Sequence, residues 1–324
     1  MSTLTTGAQL TLLELAKRKD PSGNLAVIAE VLTQDNEILD DAIWMEANDT
    51  FSNKTVRRNN LPAGSWRKLN AGVATEASAT TEVVDTIGML ETYAEADKDL
   101  VDAAPNPKTF RSNEATAFLE GLSQTLAATV IYGNASTDPE KFTGLAPRLD
   151  VVSQQNVYSN GGSASGAQTS LYVVQWGENR VHMVYPKGSK SMGIMHQDLG
   201  EVTAVDSSNY MHQVYRDRFQ IKCGLVVKDV RSIARVCNIR TTSGVTGLFD
   251  EDYLIEALNN MPKRGAGAVI YAPTHVLTVM DIAAKDKSNV LYNISDLWGR
   301  PTVTFRGFPV RKVDQIVLTE SVLT

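Results

Sequence analysis

Four histidines and two cysteines are the residues of this 324-residue chain best suited to acid–base, nucleophilic or metal chemistry. Their spacing supports none of it. His182, His196, His212 and His275 are scattered, two of them in strand-prone segments. None pairs at i, i+4, the spacing that would bring two imidazoles of one helix to one metal. Cys223 and Cys237 are too few for a disulfide framework and lack zinc-ligand spacing, which points to a reduced cytosolic compartment. The GxSxG, HExxH and CxxC patterns are absent. The glycine- and serine-rich residues 159–166 lack GxGxxG spacing and a following lysine, and Gly265-Ala266-Gly267 precedes a strand where a dinucleotide loop would follow one. Asp40-Asp41 reads as the solvated face of a helix. No catalytic, cofactor-binding or metal-ligating residue is assigned, and no cofactor is expected.

The informative side chains are instead charged and arranged in blocks. Residues 50–70 carry Lys54, Arg57, Arg58, Arg67 and Lys68 and no acid. Residues 71–102 carry eight acids, among them Glu76, Glu82, Asp85 and Glu91, and Lys98 alone as a base. Turn residues Asn59, Asn60, Pro62, Gly64 and Asn70-Ala71-Gly72 separate two β-prone limbs, with Phe51, Thr55 and Val56 leading out and Val83, Val84, Thr86, Ile87 and Tyr93 returning. This pattern predicts a long two-stranded excursion over residues 49–102, one limb basic and the other acidic. It has too few large apolar residues for a core, and an isolated hairpin is marginal in water. Two readings stay open. The limbs lie along a partner, or they neutralise each other across the ladder as a solvated hairpin.

The elements that must carry this excursion follow from periodicity. Residues 8–48 read as a helical arm, with faces Leu10/Leu13/Ala16, Leu25/Ile28/Leu32 and Ile38/Ala42/Met45 and a stop at Asp20-Pro21. Its core lies on its own domain or on another subunit. Residues 106–133 read as one helix: Asn106 caps it, Pro107 opens it, and Gly133 supplies a left-handed stop. Phe118, Leu122, Leu126 and Val130, flanked by Leu119, Ala127 and Ile131, give it an apolar face. About 26 residues at 1.5 Å each make a strut of roughly 39 Å. Residues 171–176 and 181–185 read as a hairpin about Gly177-Glu178-Asn179, followed by strands at 202–205, 213–219 and 225–230. Residues 233–239 fit strand or helix. Asp250 to Asp252 open a helix with Leu254, Ile255, Leu258 and Met261 inward and a stop at Pro262. A strand at 268–271, a helix capped by Thr274, and strands at 303–305 and 310–317 complete a helix-covered sheet, so the class is α+β.

Bulk properties narrow the function. Hydrophobic content of 43% and charged content of 21% describe a folded protein, and a net charge of −6 argues against a dedicated grip on nucleic acid. No apolar run approaches the roughly 20 residues that cross a bilayer, and the first fifteen residues lack a secretory pattern.

The order of arm, charged excursion, strut helix, β-rich part and helix-covered sheet resembles the Hong Kong 97-type fold of tailed-phage major capsid proteins. Local phrases are similar to shell proteins of short-tailed, podovirus-like phages related to the Bordetella phages. They are Leu10-Thr11-Leu12-Leu13-Glu14-Leu15-Ala16-Lys17-Arg18, Asn36-Glu37-Ile38-Leu39-Asp40-Asp41, Tyr132-Gly133-Asn134-Ala135-Ser136, Phe142-Thr143-Gly144-Leu145, Trp176-Gly177-Glu178-Asn179 and Tyr185-Pro186-Lys187-Gly188-Ser189. The resemblance implies an N-terminal arm (1–48), an E-loop (49–102), a peripheral domain (103–249) with a spine helix at 106–133, and a mainly axial domain (250–324) with returning C-terminal strands. It also implies pentamers and hexamers in an icosahedral head around double-stranded DNA, made in the host cytoplasm without a membrane step. A portal protein and scaffolding, cementing or decoration proteins are the implied partners, with the packaged DNA nearby but not specifically recognised. E-loop contacts to a neighbour would come from Lys54, Arg57, Arg58, Trp66, Arg67, Lys68, Glu82, Asp85 and Glu91. Lys54 and Lys68 carry no motif marking a covalent weld, and residues before 8 hold no scaffold-like extension, so little or no processing is expected. An α/β enzyme with a site near residues 265–274, or another virion subunit, are the competing readings.

Overall fold

The computed structural model describes residues 34–189, 193–205, 208–242, 248–285, 292–297 and 300–324. The first two arm helices expected at residues 8–33 lie outside the described residues. The chain folds into two compact units that alternate along the sequence. One draws on Met89–Ala128 and Ser191–Lys222, the other on Asn36–Gly88, Thr129–Lys190 and Cys223–Thr324.

In the first unit the strand Met195–Val205 runs antiparallel to Met211–Val227, from Val205 opposite Met211 to Met195 opposite Gln220. Gly88–Asp97 also pairs with that long strand. One continuous strand replaces the two expected at 213–219 and 225–230, because Ile221 and Cys223 between them are buried and carry the extended chain on. Asp97 caps the short helix Lys98–Asp102 by accepting from the Asp99 amide at 2.9 Å, and Leu100, Val101, Ala104 and Phe110 pack around Ala96. Ion pairs knit the surface. Arg218 meets both oxygens of Glu91, Nε at 2.9 Å and Nη2 at 2.7 Å, and the Gln220 side-chain amide donates to the same carboxylate at 2.5 Å. Arg216 pairs with Glu95 at 2.6 Å, and Arg111 reaches Asp198 and Asp217 at 2.8 and 2.9 Å. The Arg218 hydrogen bonds, with a second donor in the Tyr93 hydroxyl, hold the Glu91 carboxyl down at about 2.

The strut is the helix Pro107–Tyr132, with the Asn106 side chain accepting from the Thr109 amide at 3.3 Å. Phe110 is buried in its first turn, Phe118 and Leu119 are half-buried, and its apolar face is buried again from Leu122 onward, through Leu126, Ala127, Val130 and Ile131. Gly133 is not left-handed, contrary to the expected stop. It is there for close approach. A Cβ at Gly133 would lie 2.5 Å from the Phe142 carbonyl oxygen, and one at Gly144 would lie 2.6–2.8 Å from the carbonyls of Thr129, Val130 and Ile131. The two glycines let the chain recross the helix end, where the Gly144 and Leu145 amides donate to the Gly133 and Val130 carbonyls at 2.7 and 2.9 Å. Gly121 is the opposite case. A Cβ there would meet nothing within 4 Å.

The second unit is built on a seven-stranded mixed sheet, in the order Tyr292–Leu297, Arg300–Phe305, Phe308–Lys312, Ala268–Ala272, Gln168–Gln175, Ile233–Arg240 and Val157–Ser159. The central Gln168–Gln175 is buried along its whole length and runs antiparallel to both neighbours. Helices Glu251–Asn260 and Thr274–Lys285 cover one face through Leu254, Ala257, Leu258, Val276 and Met280, against Leu171, Val173, Val236 and Ile270. Asp250 caps the first helix by accepting from the Asp252 amide at 3.1 Å. Thr274 is the first residue of the second helix, not its cap.

Two further expectations are corrected here. Residues 171–185 are not a hairpin. Val181–Tyr185 leaves the seven-stranded sheet and pairs instead with Trp44–Glu46 in parallel and with the end of Met211–Val227. Both strands are almost wholly buried, so each finds partners on its own two edges. The third arm helix shrinks to one turn, Ile38–Asp41, because Trp44 to Glu46 are drawn into that sheet.

Arg235 is the charge inside the large sheet. It donates to Glu320 at 3.0 Å, to the Ser170 hydroxyl at 3.0 Å and to the Leu149 carbonyl at 2.9 Å, and the Tyr132 hydroxyl donates to the other Glu320 oxygen at 2.7 Å. Both members of the pair are only 7% exposed at the side chain.

Two measurements test this account. In denaturant melts Gly133→Ala is expected to lower unfolding free energy by about 1–3 kcal/mol through overpacking, while Gly121→Ala raises it by up to about 1 kcal/mol through helix propensity. Glu91 titrates at about 2 in the folded state against 4.5 unpaired, so its contribution is complete above about pH 4.5 and is lost as the pH falls toward 2. A carboxyl NMR titration should show that low midpoint and its return toward 4.5 in Arg218→Ala.

Candidate functional site

The basic and acidic limbs form a two-stranded antiparallel ladder, Ser52–Asn60 against Ala79–Thr86, from Ser52 opposite Thr86 to Asn60 opposite Ala79. The ladder ends sooner than the expected excursion over residues 49–102. After Ile87 the chain enters the strand Gly88–Asp97 of another sheet. Alternating burial at Asn53, Thr55, Asp85 and Ile87 marks the part of the limb that lies against the body.

The root is fastened by charge. Arg148 Nη2 donates to Asp85 Oδ1 at 2.7 Å, to the Thr143 carbonyl at 3.2 Å and to the Leu225 carbonyl at 3.1 Å. Their side chains are 15% and 5% exposed. Arg57 donates to the Val227 carbonyl, and desolvation lowers its pKa against the counteracting pull of Asp85. Asn48 stands in for a strand neighbour, donating to the Lys54 carbonyl at 2.6 Å and accepting from the Lys54 amide at 2.9 Å. The two limbs barely neutralise each other. Lys54 and Glu82 approach only to 3.9 Å with both side chains more than half exposed, a geometry that contributes little in water.

Residues 58–82 are exposed throughout. Trp66 is 103% exposed, Leu69 95% and Leu61 70%. The tip has some order of its own: the Glu76 carboxylate accepts from the Ala63 and Gly64 amides at 2.7 and 3.2 Å, and Gly64 and Asn70 turn the chain in left-handed conformations. Arg58, Trp66, Arg67, Lys68 and Glu82 are therefore gathered on the open arm with Lys54. Arg57 and Asp85 sit at its root. Glu91 is on the following strand, committed to Arg218. Sequence spacing carries no signal for that pairing, since Arg218 is 127 residues away. Arg148 and Arg235 also went unnoticed in the sequence. Arg235 had one usable sign, a lone charge inside an apolar strand.

Two of the histidines and both cysteines are engaged or buried. His196 stacks on Phe219 with centroids 4.8 Å apart and hydrogen-bonds Asp217 at 3.0 Å, while His275 lies 3.3 Å from the Arg240 carbonyl. Burial raises the Cys223 and Cys237 thiols to about 12 and about 11. Near residues 265–274, the Tyr271 hydroxyl accepts from Trp176 at 2.7 Å and donates to Asp41 at 3.0 Å, and Ala268, Ile270 and Ala272 are buried in the core. Among the described residues, no group of three His, Cys, Asp or Glu side chains is placed to hold a metal, and no helix is long and apolar enough to cross a membrane.

Comparisons with known proteins agree with this arrangement. The family model described as Major capsid protein GP7 matches residues 20–324. A chain of the cryo-EM structure of bacteriophage Epsilon15 superposes with a TM-score of 0.76 at 31% identity, with 100% of each chain covered. The bacteriophage JBD30 capsid shares the fold alone, with a TM-score of 0.50 at 14% identity over 95% of this chain and 99% of that one. No curated protein matches. The mixed α+β architecture is thus the Hong Kong 97-type fold, its work is structural, and the chain belongs to the GP7 family of phage major capsid proteins, the subunits of the icosahedral head.

Proposed function

We propose that the ladder Ser52–Thr86 is the arm by which one subunit grips the next in the shell. The observation that carries this reading is the contrast between its two ends. A root held by a mostly buried Arg148–Asp85 pair supports an arm whose residues 58–82 bury nothing in their own chain. Ordered apolar and cationic side chains with nothing to cover them are what an interface core needs before its partner arrives. In this role Lys54, Arg58, Trp66, Arg67, Lys68 and Glu82 meet the neighbour, Arg57 and Asp85 fix the angle of the arm, and Glu91 stiffens the strand behind it.

On this reading the chain divides by role into an N-terminal arm (1–48), the E-loop (49–102), a peripheral part (103–249) around the spine helix at 106–133, and a mainly axial part (250–324). Head-to-tail gripping of this kind is heterologous and closes into rings, here pentamers and hexamers. The head encloses double-stranded DNA without specific recognition, in keeping with the net charge of −6. A portal and scaffolding or decoration proteins complete the particle, and synthesis takes place in the host cytoplasm. No enzymatic step is assigned to the subunit, and Lys54 and Lys68 act through charge, not through a covalent weld.

Deleting residues 59–72 should abolish shells in negative-stain micrographs while leaving the circular dichroism of the body unchanged. Normal shells from that deletion would rule out the gripping role. Asp85→Ala strands Arg148 in a largely buried site and is expected to lower unfolding free energy by about 3–5 kcal/mol. Sedimentation velocity should also show fewer assembled particles, since the root loses its anchor.

A further inference from the structure

Gly121 sits in the interior of the strut helix, where glycine is the least favourable residue after proline. Among the described residues nothing explains it, because a side chain there would meet none of their atoms within 4 Å. What the missing side chain leaves is space. An open groove of about 470 Å³ runs in the first unit over Leu90, Ala117, Phe118, Gly121 and Leu122. Leu122 is buried in its floor, and Phe118 and Leu90 stay half-exposed on its walls. Its one charge, Glu91, is already neutralised by Arg218 and hydrogen-bonded by Gln220, so an apolar group entering the groove would not strip an unpaired carboxylate of water.

The chain also carries a group that fits. Trp66 is fully exposed at the end of the arm, and indole is among the largest apolar faces a side chain offers, about 150–250 Å². Charge agrees with the match. Arg67 and Lys68 follow Trp66 directly, whereas residues 112–132 of the helix carry Glu114 and Glu120 and no base. We infer that Trp66 of one subunit seats in the Phe118–Gly121 groove of a second copy, with Gly121 kept bare to admit the ring. This inference rests on the gripping role of the arm and names its receptor. A tryptophan in a desolvated pocket, rimmed by charges, has the anatomy of an interface hot spot.

The test uses full-length protein in assembled shells. The double variant Trp66→Cys/Gly121→Cys, co-expressed with a minority of wild type that helps particles form, is oxidised and run on a non-reducing gel. Covalent dimers and higher species are expected from the double variant and from neither single variant. The native thiols stay silent because both are buried. In parallel, Gly121→Leu fills the groove from outside and should cut the assembled fraction at least tenfold, with the thermal melting temperature of the subunit unchanged or raised. Normal assembly of Gly121→Leu, or a cross-link confined to fast-migrating monomer, overturns the inference. If removal of residues 59–72 blocks assembly while the groove variants do not, only the receptor is wrong. If that removal has no effect, the gripping role falls first.

Discussion

A two-stranded arm whose residues 58–82 bury nothing cannot hold its own direction in water, so that direction depends on the contact at its root. Arg148 makes that contact with one guanidinium: a carboxylate of the arm and two carbonyls of the body share the same terminal nitrogen. Because the pair is mostly withdrawn from solvent, it is screened less than the surface pairs elsewhere, and its loss leaves a charge without compensation. Its value is geometric as much as energetic. By holding Asp85 at the root the pair limits the angles at which residues 58–82 leave the body, which is what the proposed gripping role asks of the arm.

The second unit and the first are stabilised differently. The large sheet buries long apolar strands under two helices, and its buried Arg235 is answered by Glu320 and the Ser170 hydroxyl, with the Tyr132 hydroxyl donating to Glu320 in turn. The smaller unit packs a small cluster around Ala96 and Phe110 and adds surface pairs along Met211–Val227. The strands with the most charge are therefore those with the least core, where pairing sets register more than it adds stability.

Much of this was legible from residue order. The strut helix, the acid-opened helix Glu251–Asn260 and the two-limbed excursion each announce themselves by local chemistry: a proline at the first turn, a cap, a run of turn residues between β-prone limbs. The errors share one cause. Residues 168–185 look like a hairpin locally, yet Val181–Tyr185 pairs with Trp44–Glu46, more than a hundred residues earlier in the chain. Trp44 to Glu46 read as helix for the same reason, since only the distant partner makes them a strand. The site divides the same way. The charges of the arm are visible as a block, whereas Arg148, which anchors it, is a lone arginine 63 residues from Asp85 and carries no local pattern. Gly133 is a second kind of case, needed not for a turn but for the bare surface it offers to a crossing backbone.

Glu320 has a consequence for how the subunit is made. Arg235 lies in the buried strand Ile233–Arg240, and the carboxylate that neutralises it is 85 residues further along, while Tyr132, the other partner, precedes Glu320 by 188. On a ribosome adding about 5–20 residues per second, Glu320 follows Arg235 by on the order of ten seconds, so the guanidinium gains its carboxylate only when the last strands of the sheet have been made. The sheet cannot close stably around a nascent chain that has not yet reached Glu320. A truncated product ending before that residue would keep its core open and be a substrate for proteases.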